Sequence, residues 1–518
     1  DLTTTDIMSL HDIIGTIEHA KDNDNIKGIL LDLTSISTGR ASNKLLREAL
    51  ADFKTADKFI VAYGKYYTQN SYYIASVADE IYLNPLGNVD FLGFSAQVPY
   101  YKELLDRLDI KMQIYYAGQY KSATEPYRRY DMSPQNRLQV REYLEDMYAL
   151  YLNDISQSRD IPVEELRKIA DEYLLRKAED AVDYRLVDGI AYRDELHTNL
   201  KERMGLEESD KLKMVDVETY GNQKRKGGSF SVKDKIAVVY AEGTLVDGKG
   251  EPGNIGGDKY AKIIRKLRHK ESTKAIVLRV NSPGGSVLAS DVIWRELVQA
   301  RKQGIPVVAS FSDVAASGGY YIACMADSIF AEPNSITGSI GVFAMIPSFQ
   351  KTLNNQLGVR FDTVKTGPFS NRLSLFYDIS EEEGKILQES VEDFYEIFIQ
   401  KVADSRKMTR DEVHAIAQGR VWTGQKALEL GLVDAYGGID EAIASAARMA
   451  DLETYRINEY PRIKAPFERL LDRYTNPTTT SNALMQMQLG ELYPVYQQLQ
   501  DLKTMKGMQA RMPFMVEY

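Results

Sequence analysis

Residues 71–85, SYYIASVADEIYLNP, return as residues 319–333, GYYIACMADSIFAEP, 248 positions later. The displacement recurs: IKGILLDL from Ile26 matches TKAIVLRV from Thr273 at an offset of 247, and YRLVDG from Tyr184 matches LGLVDA from Leu430 at an offset of 246. A near-constant offset of this size, far longer than any solenoid period, marks two copies of one domain. Between these anchors, helix-period segments such as SNKLLREALADFKTA and ASDVIWRELVQARKQ alternate with short apolar runs such as KFIVAYG and PVVASFS. That alternation predicts an α/β fold built on parallel sheets.

The repeat sets the expected division of the chain: an N-terminal α/β domain over 1–220, a linker over 221–234, a C-terminal α/β domain over 235–450 and a C-terminal extension over 451–518. The linker lies in GNQKRKGGSFSVKDK, residues 221–235, which is polar, basic and without periodicity. The second domain opens on KIAVVYAEGTLVDG, 235–248, which reads as one strand. Subtracting the offset places its partner almost wholly before Asp1, so the first domain is expected to lack its opening strand, and a signal sequence or membrane anchor is expected upstream. The tail from Asn482, rich in Met, Gln and Tyr, is expected to pack as a subdomain or to form an oligomer contact.

Composition narrows the function classes. The 518 residues, 44% hydrophobic and 27% charged, are ordinary for a multidomain globular chain, and no apolar run is long enough to span a membrane. A net charge of −10 argues against nucleic acid as the main partner. Cys324 is the single cysteine, which excludes an internal disulfide and a cysteine-based metal site. His11, His19, His197, His269 and His414 show no ligand spacing, so neither metal nor cofactor is expected.

Two diverged copies amount to a difference experiment within one chain. Counting back from Tyr320 and Tyr72, Ser317 stands where the first copy has Gln69, and Gly318-Gly319 where it has Asn70-Ser71. VNSPGGSV, 280–287, offers bare glycine amides after a strand, and the first copy has LTSISTGR there. Those amides, with the N–H of Gly318, suit an oxyanion hole. Conversely AGQYKSATEPY, 117–127, matches TGPFSNRLSLF, 366–376, so Lys121 stands where the second copy has Ser370. One copy carries a serine without a base and the other a lysine without a nucleophile, as a divided Ser/Lys dyad would. A lysine base must be desolvated to bring its pKa from about 10.4 to roughly 7–8, a difference of about 3–4 kcal/mol. Ser339 in SITGSIGV is placed to orient the neutral amine. The plainer alternatives are a small residue at a tight strand-to-helix junction for Ser317, and a surface lysine paired with Glu125 for Lys121.

VNSPGG, DVAASGGYYIA, SITGSIGV and AGQYKSATEPY together resemble the bacterial signal peptide peptidase A (protease IV) family in its long duplicated form, over about residues 10–450. The resemblance implies two tandem Clp-protease/crotonase-like domains, with Ser317 as nucleophile and Lys121 as general base. It also implies that Ser339 positions the lysine and that Gly285 and Gly318 supply the oxyanion amides. The activity it implies is that of a serine endopeptidase degrading cleaved signal peptides and other apolar peptides. An N-terminal anchor would hold it in the cytoplasmic membrane, facing outward, as a homotetramer. Two other classes stay open from the residues themselves: a crotonase-type acyl-CoA enzyme and a non-catalytic peptide-binding scaffold.

Overall fold

The structure, a computed structural model, describes residues 8–33, 36, 38–224, 232–461 and 507–512. They fall into two compact units that do not follow sequence order. One, here called the serine unit, takes 97–141 together with 232–461 and 507–512; the other takes the described residues of 8–96 and 142–224. The helix Pro134–Arg159 belongs to the serine unit as far as Arg141.

The serine unit's main sheet has eight strands among the described residues. Its path runs Val421–Thr423, Ile336–Gly338, Val307–Ala316, Thr273–Ser282, Lys235–Glu242, Arg456–Tyr460, parallel except for the first pair. Ser328–Ala331 and Ala435–Tyr436 extend it beside the lower half of Val307–Ala316. Alternation sorts the strands onto two cores. Ala237, Val239 and Ala241 face a large cluster with Tyr260, Ile264, Ile293 and Leu297, while Ile236 and Val238 face Ile439, Ala442 and Ile443. Helices Gly257–Arg268 and Val287–Lys302 thus cover one face and Ile439–Met449 the other, which is why these strands are apolar on both sides.

A second sheet, of six strands among the described residues, runs Lys111–Ala117, Val342–Ser348, Met508–Arg511, Gly284–Ser286, Thr244–Val246, Asn254–Gly256. Here the structure corrects the sequence reading of 235–248 as one strand. The chain breaks at Gly243, with φ near 100°, and Lys235–Glu242 and Thr244–Val246 join different sheets. Two strands of the expected extension, Arg456–Tyr460 and Met508–Arg511, are built into these sheets among the described residues; apart from 507–512 the Met-rich tail lies outside the described residues, as do linker residues 225–231.

The other unit holds a parallel sheet of four strands among the described residues, in the order Gly28–Asp32, Phe59–Gly64, Glu80–Leu83, Gly189–Ile190. The repeat is visible bond by bond. Tyr72 donates to the Leu186 carbonyl at 2.8 Å, as Tyr320 does to that of Leu432 at 2.9 Å. Asp79 accepts from the Ile60 amide at 2.7 Å, as Asp327 does from that of Val307 at 2.9 Å. Arg159 pairs with Asp188 at 2.8 Å, as Arg406 does with Asp434 at 2.6 Å. These anchors fix the helix carrying the paired tyrosines against its sheet in both copies, so the scaffold around Ser317 exists twice.

Candidate active site

Ser317 sits where the strand Val307–Ala316 turns into the helix Gly318–Ala323. Its φ of 56° and ψ of −116° are costly for a residue with a Cβ, by roughly 1–3 kcal/mol, and need surrounding structure to hold them. Two bonds do so. The Ser317 amide donates to the Gly338 carbonyl at 2.8 Å, and the Ser317 carbonyl accepts from the Tyr321 amide at 2.8 Å. In the first copy, Gln69 is the opening residue of a helix capped by Thr68, and its amide is spent on the Gly93 carbonyl at 3.0 Å and the Leu92 amide at 3.2 Å. Cys324, just past the serine's helix, is fully buried, and burial pushes its thiol up to about 12, so it remains protonated.

Strand register delivers the lysine. Lys111–Ala117 lies antiparallel to Val342–Ser348 with Ala117 opposite Val342, so the chain leaving Ala117 continues alongside Ser339, three residues before Val342. The approach is backbone to backbone: the Tyr120 amide donates to the Gln418 carbonyl at 2.9 Å. Glycine is required on both sides. Gly118 has φ near 103° and a Cβ on it would stand 2.4 Å from the Gln418 carbonyl carbon; Gly419 has φ near 79° and a Cβ there would stand 2.7 Å from Lys121 Cα.

Lys121 Nζ then lies 2.8 Å from Ser317 Oγ, 2.9 Å from the Ser339 carbonyl and 3.1 Å from Ser339 Oγ. Ser317 and Ser339 are wholly buried and Lys121 is 1% exposed. Burial, which penalises the ammonium form, pulls Lys121 well below the ordinary lysine value. The alternative pairing with Glu125 is not made. That carboxylate accepts from the Ser133 amide and Asn136 Nδ2, each at 3.1 Å, and lies 3.8 Å from Arg128. Ser370, the counterpart of Lys121, is exposed and bonded locally to Gly367.

Gly284 and Gly285 follow the main sheet's strand Thr273–Ser282 into the second sheet. A Cβ on Gly284 would stand 2.8 Å from the Gly318 nitrogen, so the glycine turn and the amide after the serine meet at one place. The structure therefore brings together Ser317, Lys121, Ser339, Gly318 and the turn that contains Gly285. Sequence reasoning missed Gln139. Its Nε2 donates to the Tyr120 carbonyl at 3.2 Å and Ser122 Oγ at 2.9 Å, on either side of Lys121, while its Oε1 accepts from the Val421 amide at 3.2 Å. Val421 is paired with Gly338, next to Ser339, so this one side chain ties the lysine segment to the strands beside it. A lone glutamine on a helix carries no sequence signal of such a role.

Comparison with known proteins follows the duplication. The model of peptidase family S49 matches twice, at residues 52–207 and 299–453. The chain is 38% identical over 478 residues to "Protease 4" of Salmonella typhi, covering 90% of this chain and 76% of that protein. It is 35% identical over 231 residues to "Putative signal peptide peptidase SppA" of Enterococcus faecium, covering 44% of this chain and 67% of that protein. A ClpP1 mutant structure from Listeria monocytogenes, 14% identical, covers 40% of this chain and 94% of its own, with a TM-score of 0.27. The protein is thus a serine-type peptidase built of two tandem α/β repeats, and the acyl-CoA and scaffold alternatives give way. It belongs to peptidase family S49, in a duplicated form.

Proposed function

We propose that the chain is an endopeptidase working through a Ser317/Lys121 dyad, and that it degrades cleaved signal peptides and other apolar peptides at a bacterial cytoplasmic membrane. The observation that carries the dyad is the 2.8 Å approach of a fully buried lysine, with its basicity lowered, to the oxygen of a serine in strained backbone. Neutral Lys121 takes the proton from Ser317 Oγ as that oxygen attacks the peptide carbonyl. The amides of Gly285 and Gly318 receive the oxyanion, each donor being worth roughly 10²–10³ in rate. Protonated Lys121 gives its proton to the leaving amine, then activates the water that releases the acyl group. Ser339 holds the amine through its carbonyl and hydroxyl, leaving the Nζ lone pair for Ser317.

The substrate class rests on the resemblance and on the name carried by the Enterococcus relative. The membrane side, the outer face, rests on the resemblance alone; among the described residues no helix is long and apolar enough to cross a bilayer. A homotetramer fits the exposed apolar side chains Leu357, Val364, Phe369 and Leu373, which lie in and just before the stretch that matches the lysine segment. The test is hydrolysis of an apolar fluorogenic peptide. Ser317→Ala and Lys121→Ala are each expected to lower kcat/KM by about 10³ or more with the fold intact. Full activity in either variant would end the dyad assignment.

A further inference from the structure

The strand that leads to Ser317 is one residue longer than its counterpart in the first copy. The two begin in step: Ile60 lies opposite Ile29 as Val307 lies opposite Ile276. Further along, Tyr67 bridges to Val89 as Ala315 pairs with Thr337. Yet Ile60 and Tyr67 are seven positions apart, whereas Val307 and Ala315 are eight apart. The ladder locates the inserted residue. Pairing with Thr273–Ser282 runs as far as Phe311 opposite Val280 and resumes at Ala315 opposite Ser282, so Ser312, Asp313 and Val314 face Asn281 alone.

A bulge bends its strand and re-aims the side chains beyond it, and the backbone groups it releases from the ladder need other partners. Three side chains supply them here. Arg279 Nη1 donates to the Phe311 carbonyl and to Ser310 Oγ, each at 2.7 Å, and its Nη2 to Ser312 Oγ at 3.1 Å. Ser335 Oγ donates to the Ser312 carbonyl at 2.6 Å, and Asn281 Oδ1 accepts from the Val314 amide at 3.2 Å. Arg279 is only 6% exposed. Burial penalises a guanidinium, so packing alone would favour an apolar side chain there; what arginine adds is a fork of donors. The first copy, without the inserted residue, has Asp32, Thr34 and Gly87 at the places of Arg279, Asn281 and Ser335, and its Asp32 pairs with Arg193.

Resting on the dyad reading, we infer that Arg279, Asn281 and Ser335 are positioning residues, which lock the bulge at Ser312–Val314 and thereby bring Ser317 Oγ to Lys121 Nζ. They act through the strand backbone. Beyond the bulge, Ala315 and Ala316 pair with Thr337 and Gly338, the Ala315 carbonyl accepts from Thr337 Oγ1 at 2.8 Å, and the next residue is Ser317. The serine copy therefore differs from the first by more than the exchange of Gln69 for Ser317: the inserted residue and the three side chains that hold it set where that serine stands. A displacement of about 1 Å at a reacting atom is worth about 10²-fold in rate.

Hydrolysis of the apolar fluorogenic peptide by the full chain, read as kcat, KM and the pH midpoint of kcat/KM, tests this, with thermal melting to report folding. Arg279→Met is expected to lower kcat about 10²-fold and Asn281→Ala about 10-fold, with KM within about twofold of wild type. The pH midpoint is expected to stay in place, because Lys121 keeps its burial. Asn281→Asp, which retains the accepting oxygen, is expected to recover most of the loss. Should Arg279→Met fail to melt cooperatively, Arg279→Lys replaces it with the same expectation, since an ammonium cannot span the oxygens of Ser310, Phe311 and Ser312. Wild-type kcat in a folded Arg279 variant or in Asn281→Ala overturns the inference and leaves the dyad standing. A midpoint that moves toward the ordinary lysine value, or a KM that climbs as kcat falls, also overturns it, because a general loosening of the site would do that. Hydrolysis by Ser317→Ala would instead overturn the dyad itself.

Discussion

A lysine that has shed its proton inside a folded protein leaves a mark on stability as well as on activity. Lys121 is lowered by burial, so between its folded pKa and the unfolded value near 10.4 the unfolded chain holds a proton that the folded chain does not. Unfolding then takes up a proton, and stability rises with pH across that window by up to about 1.36 kcal/mol per unit. Lys121→Met has no such proton to shed. In urea titrations from pH 7 to 10, wild type is therefore expected to gain on Lys121→Met as pH rises; a gap that does not move with pH would show that Lys121 stays charged. Activity follows the same group: kcat/KM is expected to climb with pH through the lowered Lys121 value, since only the neutral amine accepts the Ser317 proton.

At the scale of elements, the site depends on how closely the lysine segment lies against residues 418–421. Gly419→Ala forces a Cβ to within 2.7 Å of the Lys121 backbone at a positive φ. It is expected to cut kcat/KM by about 10²-fold and to cost about 1–3 kcal/mol, seen in peptide hydrolysis and thermal melting. Gln139→Leu keeps the helix but removes the ties to Tyr120, Ser122 and Val421. A fall in kcat of roughly 10-fold with KM little changed is expected, because the loss falls on lysine placement. These residues mark the limit of what the sequence discloses. The offset near 247 exposed both copies, their strands and helices, and the Ser317 and Lys121 substitutions, because each is a local pattern that repeats. Lys121 could be sought in the other copy only because Ser317 had no histidine near it. The antiparallel pairing of 111–117 with 342–348 and the insertion of 508–511 beside Gly284 are contacts between distant segments, and no local periodicity encodes them. The break at Gly243 was hidden for a related reason: a run of apolar residues does not say where a strand changes sheets.

For the whole molecule, the repeat raises the question of whether the dyad is made within a chain or between chains. Residues 97–141, from the first copy, lie in one compact unit with Ser317, and Lys121 and Ser317 of the same chain touch. The matching stretch of the second copy is left outward: Val364 is fully exposed and Phe361 stacks only on Phe376 among the described aromatic contacts. A segment of the same origin, buried beside Ser317 in one copy and presenting exposed apolar side chains in the other, fits a head-to-tail contact with a further chain, which closes into a ring when the rotation allows. Assembly and catalysis are then separable. Val364→Asp with Leu373→Asp is expected to shift the protein to smaller species in sedimentation velocity, while unchanged sedimentation would place the contact elsewhere. Co-expressing Ser317→Ala with Lys121→Ala chains decides the dyad: mixed assemblies are expected to stay inactive on the fluorogenic peptide, because every serine still lacks its lysine or every lysine its serine. Recovered activity would mean that the lysine of one chain serves the serine of the next.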